Sequence, residues 1–344
     1  MSETAKPSEI VPTLADVARQ AGVSTATVSR CLNTPGQVQK KTRDRVMKAV
    51  EDLGYSPNFS AQSLAAKRTN TIGAIIPTME NAIFARGIQA VQEELGRAGA
   101  TLLVASSAYK PDLEAQQIRA LVSRGADGLL LIGHARDPAI YEFLDRQNVP
   151  VCVSWAYDPA QPKPSVGFDN RAAMRTMGEA VLANGHRRIA MISARQFDND
   201  RARDRVQGVR DAMGDAGLDP SDLIVFETDY TIEAGGAALA TLVASSPGPS
   251  VVICGNDVLA VGAVKAAQKL GLRVPEDISV TGFDDIELAR VIVPALTTVH
   301  VPHRQMGVLA ARQLWKMVTN RTEADSLQLE TELRVRGSLG RPAH

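Results

Sequence analysis

From Thr71 onward the chain repeats one rhythm: short apolar runs alternate with stretches of helical period. The runs are residues 72–77, 101–106, 128–133, 149–155, 188–193, 223–227, 250–255 and 278–283, and helical segments such as 84–98, 172–184, 203–216 and 258–270 fill the gaps. Continuous apolar runs belong to strands buried on both faces, and helices between them make those strands parallel. The alternation pauses once, at Asp158-Pro159-Ala160-Gln161-Pro162-Lys163-Pro164. That break predicts two doubly wound lobes joined at a hinge. In such sheets a ligand binds beyond the carboxyl ends of the strands, so two lobes would place those ends on facing walls of a cleft.

Before that body, residues 13–55 read as three short helices. Thr13 is placed to cap residues 14–21, with Asp16 in the first turn, and Gly22 breaks the helix. Ser24 is placed to cap a second helix running to about Asn33, followed by the breaker cluster Asn33-Thr34-Pro35-Gly36. Thr42 is expected to cap a third, ending at Leu53-Gly54, with the apolar stripe Val46, Ala49, Val50 and Leu53. Residues 14–33 fit a helix-turn-helix. Ala18 is small where two helices must cross, and Gly22 tolerates the positive φ of the turn. Val17, Ala21, Val23, Val28, Cys31 and Leu32 supply buried faces. Thr25, Ala26, Thr27, Ser29 and Arg30 are left pointing outward, small or polar as entry into a major groove requires. The competing reading is a helical hairpin that binds no nucleic acid. Charge alone leaves a phosphate-binding module and a solvated charged surface equally open, and it adds to the helix pattern. The whole chain has no net charge, yet residues 13–68 hold nine Lys and Arg against four acids, Asp16, Asp44, Glu51 and Asp52.

Other function classes find little support. Cys31, Cys152 and Cys254 are odd in number, far apart and set in apolar runs, which points to buried free thiols in a reducing compartment. No phosphate-binding glycine loop, nucleophile elbow or metal-spaced His/Cys cluster occurs, so no enzyme, cofactor or metal is expected. Nothing resembles a leader, and no apolar run reaches the length of about 18 residues a membrane span needs, so the expected setting is the cytoplasm. A solute-binding protein of a transport system would share the body; it is disfavoured by the head and the lack of a leader.

The residues carry a resemblance over nearly the whole chain after Pro12. Thr13-Leu14-Ala15-Asp16-Val17-Ala18, Ala21-Gly22-Val23-Ser24, Thr27-Val28-Ser29-Arg30, Gly54-Tyr55-Ser56-Pro57-Asn58, Gly185-His186-Arg187-Arg188, Asn256-Asp257 and Gly282-Phe283-Asp284-Asp285 resemble the lactose-repressor (LacI/GalR) family. The resemblance implies a homodimeric or larger transcriptional regulator. Its operator affinity would answer allosterically to a small effector bound in a periplasmic-binding-protein-like body. It places Thr25, Ala26 and Arg30 at base edges, with Arg30 suited to a bidentate pair with guanine. Ser24, Thr27, Ser29 and Asn33 fall at phosphate-contacting positions, and Asn58 is also placed on the DNA. A phosphate contact is the alternative for Arg30. Residues 57–66 match a hinge helix whose Leu64 would wedge into the minor groove; ordinary packing is the alternative for Leu64.

In the body the resemblance places Phe84, Trp155, Arg205, Tyr230, Asn256 and Asp284 on the effector; a core role competes for Phe84 and Trp155. Ser154 stands where some members carry aspartate, which would alter the polarity of the ligand. Arg195, Arg201, Arg203 and Arg205 crowd one segment with Asp198, Asp200 and Asp204; surface ion pairs account for most of that, while an arginine-rich cleft wall would favour an anionic effector. Tyr109-Lys110-Pro111 and residues 166–170 resemble gluconate-responsive members more than purine-responsive ones, so a sugar or sugar acid is expected. The expected division is a tail (1–12), a helix-turn-helix domain (13–56), hinge and linker (57–70), and a body (71–344). Within the body one lobe would take 71–164 plus 298–325, and the other 165–297 plus 326–340.

Overall fold

The computed structural model describes residues 11–56, 68–80 and 82–343, in two compact units that divide after Thr69. The proposed hinge helix with Asn58 and Leu64, and most of the expected tail, lie outside the described residues.

The first unit holds α1 (Leu14–Ala21), α2 (Thr25–Asn33) and α3 (Lys40–Leu53), with a 3-10 turn at Pro35–Gln37. Local chemistry sets the ends of α1. Thr13 Oγ1 accepts from Asp16 N–H, and Thr13 N–H donates back to the Asp16 carboxylate at 2.9 Å, a reciprocal cap. Gly22 closes the helix at φ +61°, a left-handed conformation that glycine adopts without strain. The three helices meet on Val17, Ala18, Ala21, Val28, Cys31, Val46 and Ala49. One expectation fails here. The third helix starts at Lys40, not after Thr42, and its cap residue Gln39 makes no side-chain cap bond. The chain arrives from the 3-10 turn and is already turned into helix before the nearest good capping side chain.

The second unit holds two six-stranded sheets. The first contains β1 (Thr71–Ile76), β2 (Thr101–Ser106), β3 (Gly128–Ile132), β4 (Val151–Ser154), β5 (Ser165–Gly167) and β11 (Leu327–Gln328), in the spatial order 2-1-3-4-5-11, all parallel. The second contains β6 (Ile189–Ser193), β7 (Ile224–Glu227), β8 (Val251–Cys254), β9 (Ser279–Asp284), β10 (Thr297–His300) and β12 (Glu332–Arg334), in the order 7-6-8-9-10-12. Only β12 runs antiparallel, against β10. The two sheets thus repeat one doubly wound order, reversing beside β1 and beside β6. The central strands β1, β3, β4, β6, β8 and β9 are buried throughout, while β2 and β7 are edges and half-exposed.

Every apolar run read from the sequence contains a strand. The short strands β5, β10, β11 and β12 have too few residues to show a period, and they move the lobe boundaries. β5 joins the first sheet, so the chain crosses to the second lobe after Gly167, not at 165. β10 joins the second sheet and β11 the first, which delays the other two crossings past His300 and Gln328. The Pro-rich break at 158–164 connects β4 to β5 within the first lobe and is not a crossing.

Helices cover both sheets: α4 (Ala82–Arg97), α5 (Pro111–Ser123) and α6 (Pro138–Arg146) around the first, then α7 (Asn170–Ala183), α8 (Asp200–Asp215), α9 (Ile232–Val243), α10 (Asp257–Lys269) and α11 (Leu288–Val291) around the second. The last, α12 (His303–Asn320), returns to pack on α4. The pairs α7–α8 and α9–α10 pack closely. At Gly208 in α8 a Cβ would collide with the backbone carbonyl of Arg171 in α7. Gly208→Ala should therefore push these helices apart and cost about 1–3 kcal/mol, as overpacking does. Urea unfolding checks it; an unchanged midpoint would show that the contact yields freely.

Candidate functional site

Two surfaces carry chemistry. The first is α2. Ser24 caps it, accepting from Thr27 N–H at 3.2 Å, and the Ser24 and Thr27 hydroxyls meet at 2.9 Å. Val28 and Cys31 fix one face in the core, leaving Thr25, Ala26 and Arg30 exposed on the other. Ser29 is half-buried, and Asn33 is the last residue of the helix. The first-turn N–H groups of a helix favour an anion such as a phosphate, and an exposed guanidinium one turn further on can reach a base edge.

The second surface is where the carboxyl ends of the two sheets converge. A cavity of about 540 Å³ opens there, walled by Pro77, Ser107 and Tyr109 beyond the first sheet and by Ala194, Thr228 and Tyr230 beyond the second. The Tyr109 and Tyr230 rings lie 5.6 Å apart across it. Beside the cavity the lobes grip each other. Asp200 accepts from the N–H groups of His134 and Ala135 at 2.5 and 3.3 Å, and Arg201 donates to the Ile132 carbonyl at 3.0 Å. Burial opposes the charge on Asp200, yet Arg201 and those N–H groups hold its carboxyl below the usual range.

Deeper, the lobes meet in a buried polar seam. Arg205 is 5% exposed and sits among fixed partners. Its Nε donates to Asn170 Oδ1 at 2.8 Å, one Nη donates to the Gly255 carbonyl at 2.7 Å, and the guanidinium lies 3.9 Å over the Phe283 ring. Asn170 in turn donates to the Trp155 carbonyl at 3.0 Å, linking the second lobe to the first. Trp155 stands at the end of β4 with φ +61° and packs at 5.3 Å on Phe84. Asp284 ends β9 at φ +104°, with both carboxylate oxygens buried and unpartnered. Backbone strain of this kind persists where the surroundings over-determine it, often at ligand sites. Burial pushes the Asp284 carboxyl up to about 7, against the pull of Arg205. Asn256 caps α10 through its Oδ1, which leaves its Nδ2 buried without an acceptor.

Of the six residues expected on an effector, Phe84, Trp155, Arg205, Asn256 and Asp284 are buried at this seam, and Tyr230 faces the cavity. Ser154 is not turned to a ligand: its hydroxyl donates to the Val166 carbonyl at 2.8 Å, inside the sheet. The arginine crowd is also largely committed. Arg195 pairs with Asp229 at 3.7 Å, Arg203 donates to the Gln196 carbonyl, and Arg201 and Arg205 are held as above. Sequence reasoning missed Asn170, Asp200 and His303. Asn170 and Asp200 open helices after strand ends, a position that could have marked them; nothing local marks His303. Cys31, Cys152 and Cys254 are buried and free. Among the described residues, no cluster of His, Cys, Asp or Glu is placed to hold a metal, and no helix is long and apolar enough to cross a membrane.

Comparison with known proteins places the chain in a family. Residues 13–58 match the bacterial regulatory proteins of the lacI family, and residues 179–339 match a periplasmic binding protein-like domain. The HTH-type transcriptional repressor PurR of Serratia proteamaculans is 33% identical over 330 residues, 95% of this chain and 96% of its own. The chain belongs to the LacI family. The HTH-type regulator GntR of Escherichia coli K12 is likewise 33% identical, over 88% of this chain and 91% of its own. The crystal structure of a lac repressor dimer bound to operator and the anti-inducer ONPF superposes with a TM-score of 0.85 at 27% identity, covering 96% of this chain and 99% of that one. This LacI-family chain is a DNA-binding transcriptional regulator with a small-molecule-binding body, not an enzyme.

Proposed function

We propose that the regulator represses transcription by binding a pseudopalindromic operator as a homodimer, and that a small effector between the lobes changes its operator affinity. The observation that carries the DNA-reading half is α2: a capped helix whose apolar face is spent on the core and whose exposed face is Thr25, Ala26 and Arg30. Arg30 reads a base, Thr25 and Ala26 admit the groove edge, and Ser24, Thr27 and Ser29 sit toward the phosphates, where family resemblance also assigns Asn33. Asn58 and Leu64 are assigned to backbone and minor-groove contacts by family resemblance. The effector half is supported by the seam, whose polar groups come from both lobes, so a ligand there senses their separation. A coupling worth about 1–3 kcal/mol suffices for such a switch. The effector is a sugar or sugar acid. With most arginines already paired, the neutral sugar is the better fit.

Arg30→Ala should cost about 1–3 kcal/mol at the operator and relax preference at one base pair. Footprinting on single-base operator variants checks this. An equal loss of affinity on every variant would assign Arg30 to phosphate instead.

A further inference from the structure

The bonds that tie the lobes together differ in where they sit. The Asn170–Trp155 bond lies just past the crossing that follows Gly167, on the hinge side. The Arg86–Glu287 ion pair joins the lobes in the open, where water and salt weaken it. A third tie stands at the mouth. It is made by the first two residues of α8, in the second lobe, and the turn after β3, in the first. One oxygen of Asp200 accepts from His134 and Ala135 N–H, and the other accepts from Arg201 Nη1 at 2.9 Å. The same Nη1 donates to the Ile132 carbonyl at 3.0 Å. The two side chains are only 13% and 12% exposed. The turn is shaped to receive them. Gly133 has φ +70°, and a Cβ there would lie 1.7 Å from Arg201 Nη1 and 2.4 Å from Asp200 Oδ1, so nothing larger than glycine fits. Ile132, Ala135, Asn199 and Arg201 also line the cavity, which makes this tie part of its wall. Every donor and acceptor in it belongs to the protein, and those on the carboxylate are charge-assisted, about twice as strong as neutral bonds.

We infer that Asp200 and Arg201 are positioning residues that latch the second lobe onto the β3 turn, and so set how often the cleft opens and how readily a small solute reaches the seam. The role in effector entry rests on the effector cleft proposed above. Phe84, Trp155, Arg205, Asn256 and Asp284 are each 5% exposed or less, so a solute reaches them only when the lobes part. The hinge-side bond can survive that motion, because Asn170 sits at the pivot, whereas the latch spans the two edges that separate. Losing one charge-assisted bond of the latch should multiply the ratio of open to closed lobes by about tenfold or more.

The test uses the full-length protein with Trp315→Phe, which leaves Trp155 as its one indole. Acrylamide, a small neutral solute, quenches Trp155 fluorescence as far as it can enter the seam. In this background Asp200→Ala and Arg201→Met should each raise the quenching constant at least about twofold and enlarge the radius of gyration in small-angle scattering. Arg201→Lys keeps a donor for the Ile132 carbonyl and should fall between Arg201→Met and the parent. Arg201→Met also covers the case of a poorly folding Asp200→Ala, which loses an acid from the first turn of α8. Urea midpoints, measured alongside, separate latching from mere support. A lower midpoint with quenching unchanged in both variants would make these residues structural contacts and overturn the latch, and so would unchanged quenching at an unchanged midpoint. Operator binding of the opened variants should differ from that of the parent. Raised quenching with operator affinity unchanged would leave the latch standing and overturn the reading that lobe separation controls the operator.

Discussion

Arg205→Ala is expected to destabilise the two-lobed body by about 2.5–8 kcal/mol and to abolish its effector response. The guanidinium is the donor to both Asn170 Oδ1 and the Gly255 carbonyl, at 2.8 and 2.7 Å. Removing it strands two acceptors, at about 1–3 kcal/mol each. The stacking on Phe283 at 3.9 Å goes too, worth about 0.5–2 kcal/mol. Arg205 thus joins three pieces: α7 through Asn170, the turn after β8 through Gly255, and the first lobe through the Asn170–Trp155 bond. A loss of effector response alone would not separate binding from scaffolding. The informative pair is Arg205→Ala with Arg205→Lys, followed by urea unfolding and by titration below both midpoints. Arg205→Lys keeps the charge but not the planar fork, so it should recover part of the stability and little of the ligand response. A cost under 1 kcal/mol for Arg205→Ala would show that the two acceptors find other donors. The head contains none of these contacts, so operator binding should persist in the folded fraction.

The stability difference between Asp284→Asn and the wild type should grow in favour of the variant as pH rises from 5 to 8. The sign follows from the direction of the shift. Asp284 is raised from an ordinary value of 3.8 to about 7, so between those values the folded protein holds a proton that the unfolded chain has released. The stability that proton confers is present at low pH and lost as pH rises through 7. At about 1.4 kcal/mol per unit, the whole cost approaches roughly 4 kcal/mol for this fully buried carboxyl. Two neighbours titrate in the same region of the fold. Asp257 is also raised, by burial and by Asp284 itself, and contributes with the same sign; His303 is lowered and opposes both below about pH 6.5. The wild-type curve alone mixes the three, which is why the difference from Asp284→Asn is the quantity to measure. A difference that stays constant from pH 5 to 8 would place the Asp284 carboxyl in the ordinary range.

Much of the site was named by the family resemblance, and the residues it named sit at strand ends and in the first turns of helices. Asp284 follows a buried apolar run, Asn256 is a cap residue before a helix, and Arg205 lies in the first turns of α8. Their partners were not legible. Asn170 reads as the opening of a helix, and only the fold puts its amide between Arg205 and the Trp155 carbonyl. Ser154 looked like a ligand group because of where it falls in the chain, whereas the pairing of β4 with β5 spends its hydroxyl inside the sheet. The arginines from 195 to 205 left an arginine-rich cleft wall open, but Arg195 precedes α8 and pairs with Asp229, while Arg201, Arg203 and Arg205 on α8 turn to the opposite lobe, the Gln196 carbonyl and Asn170.

The rhythm that begins at Thr71 determined by itself that the body is parallel α/β, whereas the Pro-rich break that suggested two lobes lies inside the first of them. Thr13, Asp16, Gly22 and Ser24 likewise determined the first two helices of the head. These are local matters, decided by period, capping and backbone freedom within a few residues. Tertiary structure alone decided where the chain crosses between lobes and which side chains face one another there. Strands of two to four residues such as β5, β10 and β11 carry no period, and their sheet is chosen by the edge left open beside them. The approach of His303 to Asp284 depends on that choice: β10 completes the second sheet before α12 turns back to the first, so one short connection brings an imidazole of one lobe to the carboxylate of the other.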